Sequence, residues 1–153
     1  MSDTHTARPS AGQAPASRLA RIRVSSLGAV VMLIIQFILG MIYNLYGTMP
    51  TANKSVGMFS SPVIALHVIL AFLLIIAGLA QLIRAVGTRH ALAIWMSAVG
   101  LVAILAAFFA GMGFTSNGAT GASLGMSLAF AVALACYVVL VFALAPPARS
   151  YTT

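Results

Sequence analysis

Acidic side chains are nearly missing. Asp3 is the only aspartate or glutamate among 153 residues, and it stands in a polar N-terminal stretch. Carboxylate acid/base catalysis, a Ser-His-Asp triad, acidic metal sites and acidic proton relays are therefore excluded within one chain. Cysteine is equally scarce. Cys136 stands alone, so no intrachain disulfide or thiolate metal cluster can form. Neither a Walker-type phosphate loop nor a glycine-rich dinucleotide fingerprint occurs, which removes ATP-driven and nicotinamide-dependent chemistry from consideration. Charge of either sign amounts to 6% of the residues, against about a quarter in soluble domains.

Apolar residues fill the space that charge leaves. They make up 61% of the chain, and the mean hydropathy is +1.07. Long uncharged runs recur, and about 20 apolar residues cross a hydrocarbon core. The runs predict spans at about 27–47, 62–83, 91–113 and 122–145. Short connections force neighbouring spans to be antiparallel. The expected fold is all-α, an integral membrane four-helix bundle running up-down-up-down through residues 25–146. A basic tail, 1–24, precedes it, and a short tail, 147–153, follows it.

The net charge of +7 would point to nucleic acid in a soluble protein. Its placement points to topology instead. Arg8, Arg18, Arg21 and Arg23 precede the first span, Arg84 and Arg89 lie between the second and third, and Arg149 follows the fourth. Lys54 alone lies on the other side. This positive-inside pattern places both termini in the cytoplasm, with the protein in a bacterial plasma membrane. Arg18, Arg21 and Arg23 are expected to attract anionic lipid head groups.

Residues 1–17 are rich in Ser, Thr, Ala, Pro and Gly without apolar periodicity, and are expected to be disordered. His5 there reads as a solvated residue. The segment Arg18 to Arg23 extends the first helix only if Ser25, Ser26 and Gly28 do not break it. Positive charge before an apolar run is also the outline of a signal peptide, but the run is too long for one and no cleavage site follows it. Pro62 opens the second span at a position that tolerates a missing amide donor. His90, beside Arg89, reads as a head-group contact, and Ser97 as bonded to its own backbone. Gly121, Gly125, Ala129 and Ala133 recur every four residues, a small-residue packing face on the fourth span.

The first hairpin carries most of the polar side chains inside the oily sequence. Gln36, Gly40, Tyr43, Asn44 and Gly47 share one face of the first span. That face should point inward, since a mid-bilayer amide facing lipid would lack partners. His67 leads a stripe with Ala71, Gly78 and Gln81 on the second span. Asn44 and His67 are expected roughly 5–8 Å inside the outer surface, close enough for Tyr43 and Asn44 to meet His67. Asn117, from the second outer loop, could join them. Two readings of this cluster stay open. In one, His67 bonds Tyr43 or Asn44 and merely ties two helices together. In the other, an intramembrane ionisable residue marks a ligand or cofactor site. Tyr43 and Tyr46 also lie where interfacial aromatic belts sit.

The run Gln36-x-x-Leu39-Gly40-Met41-x-x-Asn44-Leu45-Tyr46-x-Thr48-x-Pro50, with His67 in the next span and Ser123 to Met126 opening the fourth, resembles a group of small four-span actinobacterial membrane proteins without an established activity. The shorter pattern Gln36-x-x-Leu39-Gly40, then Ala65-Leu66-His67 and Ala71, is similar to a helix pair of haem A synthases. That second resemblance implies His67 as an axial haem ligand. Spans three and four offer no second histidine, so Met112, Met126 or the His67 of a second copy would have to complete the ligation. The expected function is that of a non-enzymatic membrane protein, an accessory subunit or small-ligand binder. A b-type haem or quinone-associated redox protein is the alternative, and a small-solute transporter acting as a homo-oligomer is the third.

Overall fold

An uncharged run without internal proline has only itself to satisfy its backbone in lipid, and the α-helix does so residue by residue. A computed structural model describes residues 13–145, with side chains from Ser17 onward, and contains four such helices. They are α1 (Gln13–Tyr46), α2 (Pro62–Val86), α3 (Ala91–Asn117) and α4 (Thr120–Ala143). No strand occurs among the described residues, only an isolated bridge between Thr51 and Lys54. All four helices are long and apolar enough to cross a membrane. The all-α bundle read from the sequence is the observed architecture, and it fits a multi-pass membrane protein.

The start of α1 corrects the expected boundary at residue 25. The helix begins at Gln13 and runs for 34 residues, about 50 Å at the usual rise. Ser25 and Ser26 do not interrupt it, because their hydroxyls are engaged elsewhere. Ser26 Oγ donates to the Ile22 carbonyl at 2.8 Å and Ser25 Oγ donates to Gln81 Oε1 at 2.8 Å. Ile22 is fully buried, so the arginine-rich turns are held by packing as well as by propensity. Residues 1–12 and 146–153, with Asp3, His5, half of the expected N-terminal tail and all of the C-terminal one, lie outside the described residues.

Each helix packs chiefly on two neighbours, in the closed order α1–α2–α3–α4–α1, and α3–α4 is the most extensive pair. Buried positions repeat at three and four: Ile22, Ser26, Ala29 and Leu33 on α1, and Leu74, Gly78, Gln81 and Ala85 on α2. Ala93, Ser97, Gly100 and Ala103 do the same on α3, and Ala133, Tyr137 and Leu140 on α4. This is the stripe of helices packed at shallow angles. Its residues are mostly small, as expected where lipid offers no hydrophobic drive and close approach must hold helices together. Large apolar side chains face outward instead, among them Trp95, Val102 and Phe109 on α3.

One large residue breaks the small-residue rule at the centre. The ring of Tyr137 is fully buried, seated in a notch made by two glycines. A Cβ on Gly100 would stand 3.1 Å from Tyr137 Cε2, and one on Gly78 would stand 3.1 Å from the Tyr137 hydroxyl. Thus α4 reaches across the bundle to α2 through a gap that only glycine leaves open. The Tyr137 hydroxyl and Ser97 Oγ are both buried without a hydrogen-bond partner. Ser97 therefore does not make the backbone bond expected of it.

Nearly all of this core lies in the half of the bundle nearer the arginines. Gln81 clamps α1 to α2 there, its amide accepting from Ser25 and donating to Ser26 Oγ at 2.7 Å. Arg23 closes the ring by donating to the Val141 carbonyl of α4 at 3.0 Å. Beyond Leu33 on α1 and Ile104 on α3, toward the opposite end, Ile64 is the only buried apolar side chain on any helix. The bundle is tight at one end and parted at the other.

Candidate functional site

The parted end encloses a cavity of about 270 Å³ reached by all four helices. Its walls follow from the sequence pattern. Phe37 of α1 stacks on Phe130 of α4 with centroids 5.3 Å apart, and Phe72 of α2 meets Phe108 of α3 edge-on at 5.2 Å. Phe37, Phe108 and Phe130 line the cavity and Phe72 lies outside it, half exposed, whereas the opposite end uses glycine, alanine and serine to draw the helices together. The small residues Gly40, Ala71, Ala107 and Gly111 then leave space between the aromatic walls.

The loop from residue 47 to 61 lies against the α3–α4 turn. Val56 N–H donates to the Thr115 carbonyl at 2.9 Å. Pro50 is buried, and its carbonyl lies so close to Gly118 that a Cβ there would overlap it. Gly118 also has φ +70° and ends α3 in the left-handed conformation, which glycine adopts without steric cost. Met58 from this loop contributes to the cavity lining.

Two buried polar atoms on residues that line this apolar space have no hydrogen-bond partner, Gln36 Oε1 and His67 Nδ1. The orientation of Gln36 follows from its other contact. Gln36 Nε2 donates to the His67 backbone carbonyl at 3.0 Å. Only the NH₂ group can serve a carbonyl, so the amide oxygen is the atom left as a free acceptor. The imidazole of His67 lies beside Gly40, where a Cβ would come within 3.3 Å of Cε1. Gly40 is thus the residue that lets α1 pass over the histidine ring.

The predicted cluster is gathered only in part. Gln36, Tyr43, Asn44 and His67 all line the cavity, as do Met112 and Met126. Neither Tyr43 nor Asn44 bonds His67. Tyr43 donates its hydroxyl to the Thr48 carbonyl at 2.7 Å and lays its ring on Gly47, closing the C-terminal end of α1. Asn44 is exposed and stands at the cavity rim. Asn117 is not part of the lining. Its Oδ1 accepts from Ala119 N–H at 2.9 Å, the local turn bond that Asn makes readily, so it shapes the α3–α4 turn. Tyr46 is 84% exposed.

The fourth-span stripe is also uneven. Ala133 is fully buried, and a Cβ on Gly125 would meet Ala110 of α3 at ordinary contact distance. Gly121, in the first turn of α4 beside the loop, fronts open space. Ser123, Ser127, Thr115 and Met58 line the cavity without having been singled out from the sequence. The four-residue step from Ser123 to Ser127, parallel to the glycine stripe, was the available signal. Ser127 Oγ is already bonded to the Ser123 carbonyl at 3.0 Å.

No group of three or more His, Cys, Asp or Glu side chains could hold a metal ion among the described residues. Haem ligation by His67 fits the surroundings poorly. A metal-bound imidazole ordinarily donates its second N–H to an acceptor that fixes the ring, and His67 Nδ1 has none. Cys136 is buried in the tight half and is absent from the cavity lining. No family model, curated protein or solved structure matches the chain, so the two family resemblances rest on the residues quoted for them alone.

Proposed function

We propose that the chain is a non-enzymatic membrane protein that binds a small lipophilic molecule in the four-helix cavity, and that this molecule carries a hydrogen-bond donor. One observation carries the reading. Gln36 Oε1 and His67 Nδ1 are buried and unpaired, on two residues that line an apolar space with room for a ligand. An unmet buried acceptor costs about 1–3 kcal/mol, and apolar walls with a few placed polar groups are the usual form of a small-molecule site. The free carbonyl oxygen of Gln36 accepts only. It favours an alcohol, phenol or N–H compound over a ketone or quinone. Phe37 and Met41, both lining residues exposed on α1, mark a way in from the bilayer. The lack of an acid in this region agrees with binding rather than turnover.

The test is extraction of the gently solubilised protein followed by mass spectrometry of bound lipophiles, with a visible spectrum of the same sample. A hydroxyl-bearing compound retained by the native chain should be lost about tenfold in Gln36→Leu and in His67→Ala, the loss of one hydrogen bond each. Retention unchanged in both variants would refute the reading. A haem absorption band abolished by His67→Ala would replace it with the redox alternative.

A further inference from the structure

The described residues contain six lysine or arginine side chains and no aspartate or glutamate at all. None of these cations has a carboxylate partner among the described residues, and the structure shows where some of them find backbone oxygens instead. Arg23 donates to Val141 O. Arg18 uses one nitrogen, Nη1, on Gly87 O at 3.3 Å. Arg21 and Arg84 are exposed, with no side-chain hydrogen bond among the described residues. These last three arginines are not scattered. Arg18, Arg21 and Arg84, with Gly87, border a second concavity of about 270 Å³ at the tight end of the bundle.

We propose that this concavity binds a phosphate-bearing anion, supplied by an anionic phospholipid head group or by free phosphate. Arg18 and Arg21 are three residues apart on α1 and so present to one side. Arg84 comes from the last turn of α2 and faces them across the helix pair. The end of α2 carries partial negative charge on its last carbonyls, which would repel an anion if they were bare. Three of them are taken: Ile83 O by Gly87 N–H, Ala85 O by Thr88 Oγ1 at 2.7 Å and Val86 O by Arg89 N–H, while Arg18 holds the cap carbonyl of Gly87. Guanidinium forks pair with phosphate oxygens two at a time, and three forks around one hollow match a tetrahedral anion. Arg84 also directly follows the apolar run of α2, the level at which a head group lies. The sequence alone pointed to Arg18, Arg21 and Arg23. The structure replaces Arg23, which is engaged on α4, with Arg84.

The experiment uses the full chain, solubilised in neutral detergent and titrated separately with phosphatidylglycerol, phosphatidylcholine and inorganic phosphate, with bound lipid read by native mass spectrometry. Phosphatidylglycerol should bind in preference to phosphatidylcholine. Arg21→Gln and Arg84→Gln should each weaken it about fivefold. Neither side chain makes a hydrogen bond among the described residues, and a thermal unfolding profile of each variant confirms folding. Arg89→Gln removes the same charge from the neighbouring turn, outside the hollow, and should leave binding within twofold of the native chain. Displacement of the lipid by inorganic phosphate would support the site with phosphate as its ligand, and failure to displace would support it with the lipid. No preference between the two lipids, or an equal loss in all three variants, would overturn the proposal.

Discussion

At the scale of single residues, glycine decides what the larger side chains can do. Gly40 leaves room for the His67 ring and Gly78 with Gly100 leave room for Tyr137. Gly40→Ala should shift the imidazole by a few tenths of an ångström and lower ligand retention several-fold, with stability changed by no more than about 1 kcal/mol. Tyr137 gives a sharper contrast. Its hydroxyl is buried without a partner, so Tyr137→Phe should be neutral or stabilising by up to about 1 kcal/mol. Tyr137→Ala should cost about 3 kcal/mol or more by leaving a hollow between three helices. Reversible unfolding in mixed micelles measures both. The importance of Tyr137 was not legible in the sequence, because an aromatic within VALACYVVL looks like any lipid-facing residue. His67 and Gln36 were legible, since polar atoms in an oily run have few places to go. Tyr43 lines the cavity and Asn117 does not, and neither bonds His67, because each found a nearer backbone partner, one at Thr48 and one at Ala119.

At the scale of elements, the polar clamp between α1 and α2 and the stop at the end of α3 matter most. Gln81 holds two serines of α1, and bonds of this kind average about 0.6 kcal/mol in membranes. Gln81→Leu should therefore destabilise by about 1–2 kcal/mol, seen as a lower midpoint in the same unfolding assay, and Ser26→Ala by less. Gly118→Ala meets two obstacles, the left-handed backbone and the Pro50 carbonyl. The conformation alone costs about 1–2 kcal/mol, so the variant should lose more than that, with loop 47–61 becoming sensitive to protease. Helix number and order were readable because four uncharged runs admit no other backbone solution in lipid. Helix ends were read less well. The sequence left open whether Ser25 and Ser26 break the helix, whereas Gln81, more than fifty positions on, gives them work within a continuous helix. Pairings across that distance leave no local trace.

At the scale of the whole molecule, the bundle has a closed half and a parted half, and the two proposed sites fall one in each. Filling the parted half tests whether that division serves binding. Ala107→Leu places a larger side chain into the cavity lining and should abolish ligand retention while leaving the tight half, and hence most of the stability, intact. The tight half also acts as a fulcrum. With Tyr137, Gln81 and the small-residue stripes fixing four helices at one end, any occupant of the cavity must be felt as a spreading of the far helix tips, as the arms of a clothes-peg respond around its spring. Amide exchange should accordingly begin at the tips around Asn44 and Gly113 and reach Ser97 and Ala133 last.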